Sequence, residues 1–288
     1  MARPSPARTV AFQGQPGAYS HLACRHALPR MKPLPTATFE DTFAAVRKGR
    51  AKYAMIPIEN SVAGRVADIH RLIPDSGLYI IAEHFLRVNH HLLAPKGATL
   101  AGIRTVHSHI HALSQCRKFL AKHRIKPIVH ADTAGAAADI AAKGDRTEAA
   151  IASALAAEIY GLKSLRANIE DEDHNTTRFL VFANKPVQPP RTVRTVTSFV
   201  FRVRNVPAAL YKAMGGFATN GVNMTKLESY MVGGDFTATQ FYADIEGHPA
   251  ERNVKLALEE LAFFTRELRI LGTYPADPFR FGAQVDQA

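Results

Sequence analysis

The chain has 288 residues, more than one average domain needs and suited to two. Hydrophobic residues at 47% and charged residues at 21% describe an ordinary globular chain, and no run approaches the ~18 apolar residues of a membrane span. The formal charge is +11, but no block of about five or six Lys/Arg occurs, so the excess suits a small anionic substrate better than nucleic acid.

In the first nine residues, Arg3 and Arg8 precede no apolar stretch, so no secretory signal is expected. Val10 to Phe12 reads as a strand. A turn with Gly14, Pro16 and Gly17 leads into a helix from about Ala18. Phe39, Phe43 and Val46 fall at i, i+4 and i+7, a helical stripe ended by Gly49. Tyr53 to Ile58 is a buried strand, and Val62, Val66, Ile69 and Ile73 predict a helix stopped by Pro74. Arg104 to Val106 and Ile128 to His130 are strands. Leu113, Cys116 and Leu120 line a helix after the first, and Thr133 to Lys143 is a helix after the second. Ala149 to Ala152 is a strand, followed by a helix ending near Tyr160 and Gly161. This alternation predicts an α/β fold with mostly parallel sheets. Cys24 and Cys116 form no CxxC pair, which excludes a disulfide framework or a structural zinc and points to a reducing, cytoplasmic setting.

Asn184 to Thr192 carries three prolines and breaks every periodicity, so it reads as a linker. Beyond it, Ser198 to Val203 is a strand, and Pro207 sits at the first position of a helix running to about Asn220. Strands near Met224 to Met231 and Phe236 to Ile245 follow. A helix from about Ala250 to Phe264 and a strand near Leu268 to Thr273 complete a βαββαβ order, the ferredoxin-like arrangement.

Asn60–Ser61, Ser108, Asp132 and Ser153 each follow a strand end and suit helix N-caps. Ligands of open α/β sheets bind beyond such strand ends, where helix N-termini favour a carboxylate. Asn175-Thr176-Thr177-Arg178-Phe179 precedes the apolar strand Leu180 to Ala183. It sets either a proton donor beside an anion clamp or a β-branched strand start beside a surface arginine. His107, His109 and His111 alternate, but a strand-to-helix turn would splay their rings and no carboxylate is near to orient them, so no metal is expected. Glu170, Asp171, Glu172 and Asp173 read as a solvated loop. No Walker loop, GxGxxG, GxSxG or HExxH occurs, so no cofactor is expected.

Taken in order, Ala11-Phe12-Gln13-Gly14, Gly17-Ala18-Tyr19-Ser20, Ile56-Pro57-Ile58-Glu59-Asn60-Ser61, Ser108 with Gln115-Cys116, Asp132-Thr133-Ala134 and Thr176-Thr177-Arg178-Phe179 resemble the prephenate dehydratases, from about Val10 to Tyr274. The resemblance implies a two-lobed, periplasmic-binding-protein-like catalytic domain over residues 8–184, crossing between lobes near 84–89 and 173–179, and a ferredoxin-like ACT domain over 195–276. It implies the decarboxylating dehydration of prephenate to phenylpyruvate in phenylalanine biosynthesis, a carbon–oxygen lyase reaction, with arogenate dehydratase as the alternative. Thr177, Arg178 and Phe179 match the catalytic segment, with Thr177 nearest the leaving hydroxyl and Arg178 a carboxylate clamp. Asn60, Ser61, Ser108, Gln115 and Thr133 match positions that orient the substrate.

For the C-terminal part the resemblance implies L-phenylalanine as effector, bound between ACT domains of a homodimer or homotetramer. The matching positions are Asn205, Ala208, Ala209, Leu210, Glu228 and Ser229. Two departures stand out. Ala208 replaces the usual glycine, and Tyr230-Met231 replaces the usual Arg-Pro. Neither a nucleic acid nor a membrane partner is implied.

Overall fold

The computed structural model describes residues 5–204, 206–231 and 238–282. The chain divides into two compact units. The first holds the described residues up to Val66 and His84–Phe179, and the second holds Ala67–Glu83 and those from Leu180 onward. Residues 67–83 thus group with the C-terminal part, whereas the sequence reading counts them with the catalytic region.

The elements before residue 90 are β1 (Thr9–Gln13), α1 (Tyr19–Ala27), β2 (Lys32–Thr36), α2 (Phe39–Arg47), β3 (Tyr53–Asn60), β4 (Gly64–Arg65), α3 (Ala67–Asp75) and β5 (Tyr79–Arg87). Then come β6 (His91–Ala94), β7 (Thr105–Ser108), α4 (Ile110–Ser114), α5 (Arg117–His123) and β8 (Lys126–Val129). They are followed by α6 (Thr133–Lys143), β9 (Glu148–Ala152), α7 (Ala154–Tyr160), β10 (Lys163–Arg166) and β11 (Thr176–Ala183). One sheet runs β2-β1-β3-β11-β5, with β4 paired to β3. The other runs β10-β6-β9-β7-β8. Strands β1 and β7 are parallel to both neighbours, but β6 is antiparallel to both of its own, so the second sheet is mixed rather than mostly parallel.

Local chemistry accounts for the boundaries. Asp132 caps α6 by accepting from Gly135 N at 2.6 Å, and Ser153 caps α7 by accepting from Ala156 N at 3.2 Å. Gly144 and Gly161 close those helices in the left-handed conformation. Strand β9 is buried on both faces, and its alternation feeds two cores. Ala149 and Ile151 pack with Leu113, Cys116 and Leu120, while Ala150 and Ala152 pack with Ala136, Ala137 and Ile140. The chain passes from one sheet to the other at Val88–His90 and returns over residues 167–175. These passages lie side by side, with Val88 N donating to Asn175 O at 2.8 Å and Ile169 N donating to His90 O at 3.1 Å.

The second unit adds β12 (Thr195–Val203), α8 (Ala209–Thr219), β13 (Met224–Met231), β14 (Ala238–Glu246), α9 (Arg252–Phe264) and β15 (Thr265–Pro275). The sheet order β13-β14-β12-β15 is antiparallel throughout. Phe199 and Phe201 of β12 pack against Phe217 of α8 and Leu261 of α9, so both helices cover one face. The βαββαβ order agrees with the sequence pattern; the expected strand start at Phe236 lies outside the described residues.

Several local expectations need correction. The helix predicted from Val62 begins only at Ala67, because Asn60 Oδ1 accepts from Val62 N and Ala63 N and folds that stretch into a turn. Pro74 lies inside the last turn of α3 rather than beyond it. The Leu113–Leu120 stripe is two short helices with a break at Gln115 and Cys116. Strand β2 escaped notice because it contains Pro33 and Pro35, tolerable only at this sheet edge. Strand β5 was masked by Glu83, which is buried and accepts from Arg280 Nε at 2.6 Å and Nη2 at 2.9 Å. Among the described residues, no helix is long and apolar enough to cross a membrane.

Candidate active site

A cavity of about 360 Å³ opens in the first unit at the strand ends. Its wall includes Asn60 at the end of β3, Thr177 on β11, Tyr19 at the start of α1 and His90 on the passage between the sheets. Gln115 from the α4–α5 break, Thr133 at the start of α6, Gln13, His109, His111 and the Asp132 carboxylate make up the rest of the polar lining. A smaller cavity of about 240 Å³ shares Ala63, His111 and Gln115 with it and reaches Glu170 and Asn175.

The polar side chains form a connected set. Asn60 Nδ2 donates to Thr177 Oγ1 at 2.9 Å and to Asn175 Oδ1 at 2.7 Å. Asn175 Nδ2 donates to Gln115 Oε1 at 3.0 Å, and that oxygen lies 2.8 Å from His90 Nε2. The Tyr19 hydroxyl is 2.8 Å from both His90 Nδ1 and Asn89 O. Burial holds His90 below the ordinary histidine pKa, against opposing pulls from its Gln115 hydrogen bond and Glu170. Burial also pushes the Tyr19 phenol well up, with the neighbouring Cys116 and Glu170 adding to it. His109, at the rim, is lowered by burial and then by His111.

Thr177, Asn60, Gln115 and Thr133 of the sequence-predicted set therefore meet at one cavity. The others do not line it. Ser61 Oγ donates to His174 O at 2.7 Å and accepts from Thr176 N at 2.9 Å, fastening the end of β3 to the start of β11. Ser108 is fully buried and donates to Ile151 O at 2.6 Å, a bond within the sheet rather than a helix cap. Phe179 belongs to the core. Arg178 follows Thr177 on a strand and so takes the other face. Its guanidinium is buried, 3.0 Å from Glu59 Oε1 and 6.0 Å from the centre of the Phe85 ring. The expected carboxylate clamp is thus committed to an internal carboxylate in this structure.

The polar lining residues that sequence reasoning passed over are Gln13, Tyr19 and His90, while Asn175, the first residue of the candidate Asn175–Phe179 segment, lies in the adjoining cavity. A signal existed for Gln13 and Tyr19, which fall inside the segments that carry the resemblance; His90 had none. The histidine trio also reads differently. His109 and His111 have ring centres 5.1 Å apart, because the short α4 brings them together, while His107 lies 3.5 Å from Glu148. Among the described residues, no group of His, Cys, Asp and Glu is arranged to hold a metal ion. The acidic run is partly structural. Glu170 accepts from His90 N at 2.8 Å, and Asp171 accepts from Lys118 N at 3.0 Å.

In the second unit, Ala208 sits before α8 at φ 59°, and Ala209 and Leu210 open that helix. Glu228 and Ser229 lie on β13, where Glu228 Oε1 accepts from Lys226 Nζ at 3.2 Å. Asn205 lies outside the described residues.

Comparison with known proteins adds to this geometry. The model of the family described as prephenate dehydratase matches residues 10–187. The chain is 53% identical over 274 residues to a bifunctional N-acyl-homoserine lactone acylase/prephenate dehydratase of Komagataeibacter europaeus, covering 95% of this chain and 98% of that protein. It is 38% identical over 277 residues to arogenate dehydratase/prephenate dehydratase 2 of Arabidopsis thaliana chloroplasts, covering 93% and 73%. Among solved structures it is similar to GqqA, described as a novel type of quorum quenching acylase, with TM-score 0.90, 53% identity and coverage of 95% and 100%. It is also similar to prephenate dehydratase from Arthrobacter aurescens in complex with L-Phe, with TM-score 0.85, 30% identity and coverage of 93% and 90%.

Proposed function

This chain belongs to the prephenate dehydratase family, a family of lyases, and from that premise we propose that it converts prephenate to phenylpyruvate in the Thr177 cavity. Prephenate carries two carboxylates, a ring hydroxyl and a side-chain keto group. The ring carboxylate leaves as CO2, and its electron pair moves through the ring and expels hydroxide from the opposite carbon. The hydroxide takes up a proton and departs as water. Aromatisation drives the reaction, so the protein has to hold the dianion and stabilise the leaving oxygen.

One observation carries this reading. Thr177 Oγ1 accepts a hydrogen from Asn60 Nδ2, so its own proton is left to donate elsewhere, and the residue lines the cavity. A threonine hydroxyl is too weak an acid to give up its proton outright at neutral pH, but it can hydrogen-bond to oxygen that becomes negative in the transition state. Gln115 and Thr133 add hydrogen-bonding groups, and the start of α6 presents the positive end of a helix dipole. Purified protein offered prephenate and arogenate separately, with phenylpyruvate and phenylalanine followed, tests the reading. Turnover of arogenate alone would move the assignment to arogenate dehydratase.

The name of the 53% relative motivates a second reading, hydrolysis of an N-acyl-homoserine lactone. Release of free homoserine lactone by this protein would support it, and no release at millimolar lactone would dismiss it.

We further infer a catalytic domain over residues 8–184, two-lobed in the manner of periplasmic binding proteins, and an ACT domain over 195–276. The two sheets joined by two chain passages favour the first inference, and the βαββαβ order favours the second. The L-Phe complex of the 30% identical Arthrobacter protein favours phenylalanine as effector, and the family resemblance favours its binding at Asn205, Ala208, Ala209, Leu210, Glu228 and Ser229. In this reading the active form is a homodimer or homotetramer. Calorimetry with phenylalanine, beside sizing with and without it, tests both points. No binding at millimolar phenylalanine would reject sensing, and a monomer in both conditions would reject assembly.

A further inference from the structure

The hydrogen bonds that end at Thr177 have a direction, and it can be followed from groups that only donate. Val62 N and Ala63 N lie 3.0 and 2.8 Å from Asn60 Oδ1, which fixes the amide oxygen of Asn60 on their side. The Asn60 NH2 therefore faces Asn175 Oδ1 and Thr177 Oγ1. Asn175 must turn its own NH2 toward Gln115 Oε1. An amide oxygen cannot donate, and this same oxygen lies 2.8 Å from His90 Nε2, so Nε2 must carry a proton. In the neutral ring Nδ1 is then an acceptor, and it shares the single proton of the Tyr19 hydroxyl with Asn89 O, both 2.8 Å from that oxygen.

We propose that His90 is a positioning residue for the reaction. Its Nε2–H, required by Gln115 Oε1, holds Gln115, Asn175 and Asn60 in the one orientation that leaves the Thr177 hydroxyl proton free for the cavity. This proposal rests on the dehydratase reading of the same site. The placement suits the role. His90 is 2% exposed, on the passage between the two sheets, and takes Tyr19 from one sheet's helices and Gln115 from the other's.

Protonation of the ring does not remove the Nε2 donor, since both ring nitrogens donate in the charged form. The groups around it are Tyr19, Gln115, Glu170 and His91. A positioning histidine therefore leaves kcat level across its own titration. A histidine acting as the acid would lose kcat as the pH rises.

The test has separable arms. Turnover of prephenate by the wild-type protein checks the underlying reading. Nitrogen-15 spectra of the histidines check the tautomer without any turnover: His90 is expected protonated at Nε2, and a ring protonated only at Nδ1 would overturn the proposal. In kinetics, His90→Leu is expected to lower kcat by ~10–100-fold with little change in KM, the scale of losing a group that orients a reacting one. His90→Gln, which keeps a donor near Nε2, is expected to recover most of that loss. Wild-type kcat in a folded His90→Leu protein, or a loss confined to KM, would reject the role. Should His90→Leu not fold, the wild-type nitrogen-15 spectra and the kcat of His90→Gln still decide. A folded His90→Gln protein that shows the full ~10–100-fold loss of kcat would equally reject the role.

Discussion

Arg178 Nη1 lies 3.0 Å from Glu59 Oε1, while its neighbour Thr177 lines the cavity, so consecutive residues of β11 serve different faces of one sheet. Arg178→Ala should therefore cost stability. The loss should be roughly 2 kcal/mol, below the ~3–5 of a fully buried pair because the Glu59 side chain is 32% exposed. Urea unfolding measures it. Unchanged stability with a raised KM for prephenate would instead restore the clamp.

Thr177→Ala should act on the chemical step. The donor works on charge that develops in the transition state, so kcat should fall by ~10²–10³-fold with KM nearly constant. Thr177→Ser keeps the hydroxyl and should retain most activity. Steady-state kinetics on the two variants decide, and a folded Thr177→Ala protein with near-normal kcat would remove Thr177 from its role.

Gly17→Ala should be destabilising by about 1–3 kcal/mol. The residue has φ +91°, and a Cβ there would meet Ala156 Cα at 2.9 Å, which is backbone of the capped start of α7. Gly17 O also accepts from Ser153 Oγ at 2.6 Å, so the strain falls on a contact joining helices of the two sheets. A variant as stable as the wild type in thermal unfolding would show that α7 can shift.

Stability should fall as the solution is acidified through the histidine range. His21, His90, His91 and His109 are all held below the ordinary value, in each case first by burial. Below about pH 6.5 the unfolded chain binds more protons than the folded one. The contribution is thus complete above that pH, declines as pH drops through it, and levels off beneath the folded values. Urea midpoints from about pH 7 to about pH 5.5 should decrease, and His90→Gln should flatten the slope. A midpoint rising over that interval would contradict the assignment.

Ala208→Gly should stabilise the second unit by about 1 kcal/mol, because Ala208 adopts φ 59°, a region that penalises a Cβ. If the phenylalanine reading holds, the smaller residue should also tighten effector binding at the start of α8. Unfolding midpoints and calorimetry read the two effects separately.

Much of the fold was legible because it rests on local rules. The Thr133–Lys143 helix follows from Asp132 and Gly144, and the Met224–Met231 strand from its alternation. What escaped depends on partners distant in sequence. Strand β5 is interrupted by Glu83, whose charge makes sense only beside Arg280. Of the four predicted site residues that meet at the cavity, Asn60 and Thr177 sit at strand ends, Thr133 at a helix start and Gln115 at the break between α4 and α5. Ser108 and Ser61 have the same polar chemistry but spend it on Ile151 O and His174 O, which spacing does not reveal. His90 was invisible for the opposite reason: its role comes from Tyr19 and Gln115, 71 and 25 residues away.

The order β2-β1-β3-β11-β5 places the last strand of the first sheet between two made much earlier. On the ribosome, β3 and β5 emerge more than ninety residues before β11 fills the gap between them. Until then each presents an open edge of the kind that recruits other chains. Asn60 and Thr177 come within bonding distance only with that insertion, so a truncated or stalled chain exposes adhesive strands before the Thr177 hydroxyl is in place. Poor yield of fragments ending before Thr176 is the practical consequence.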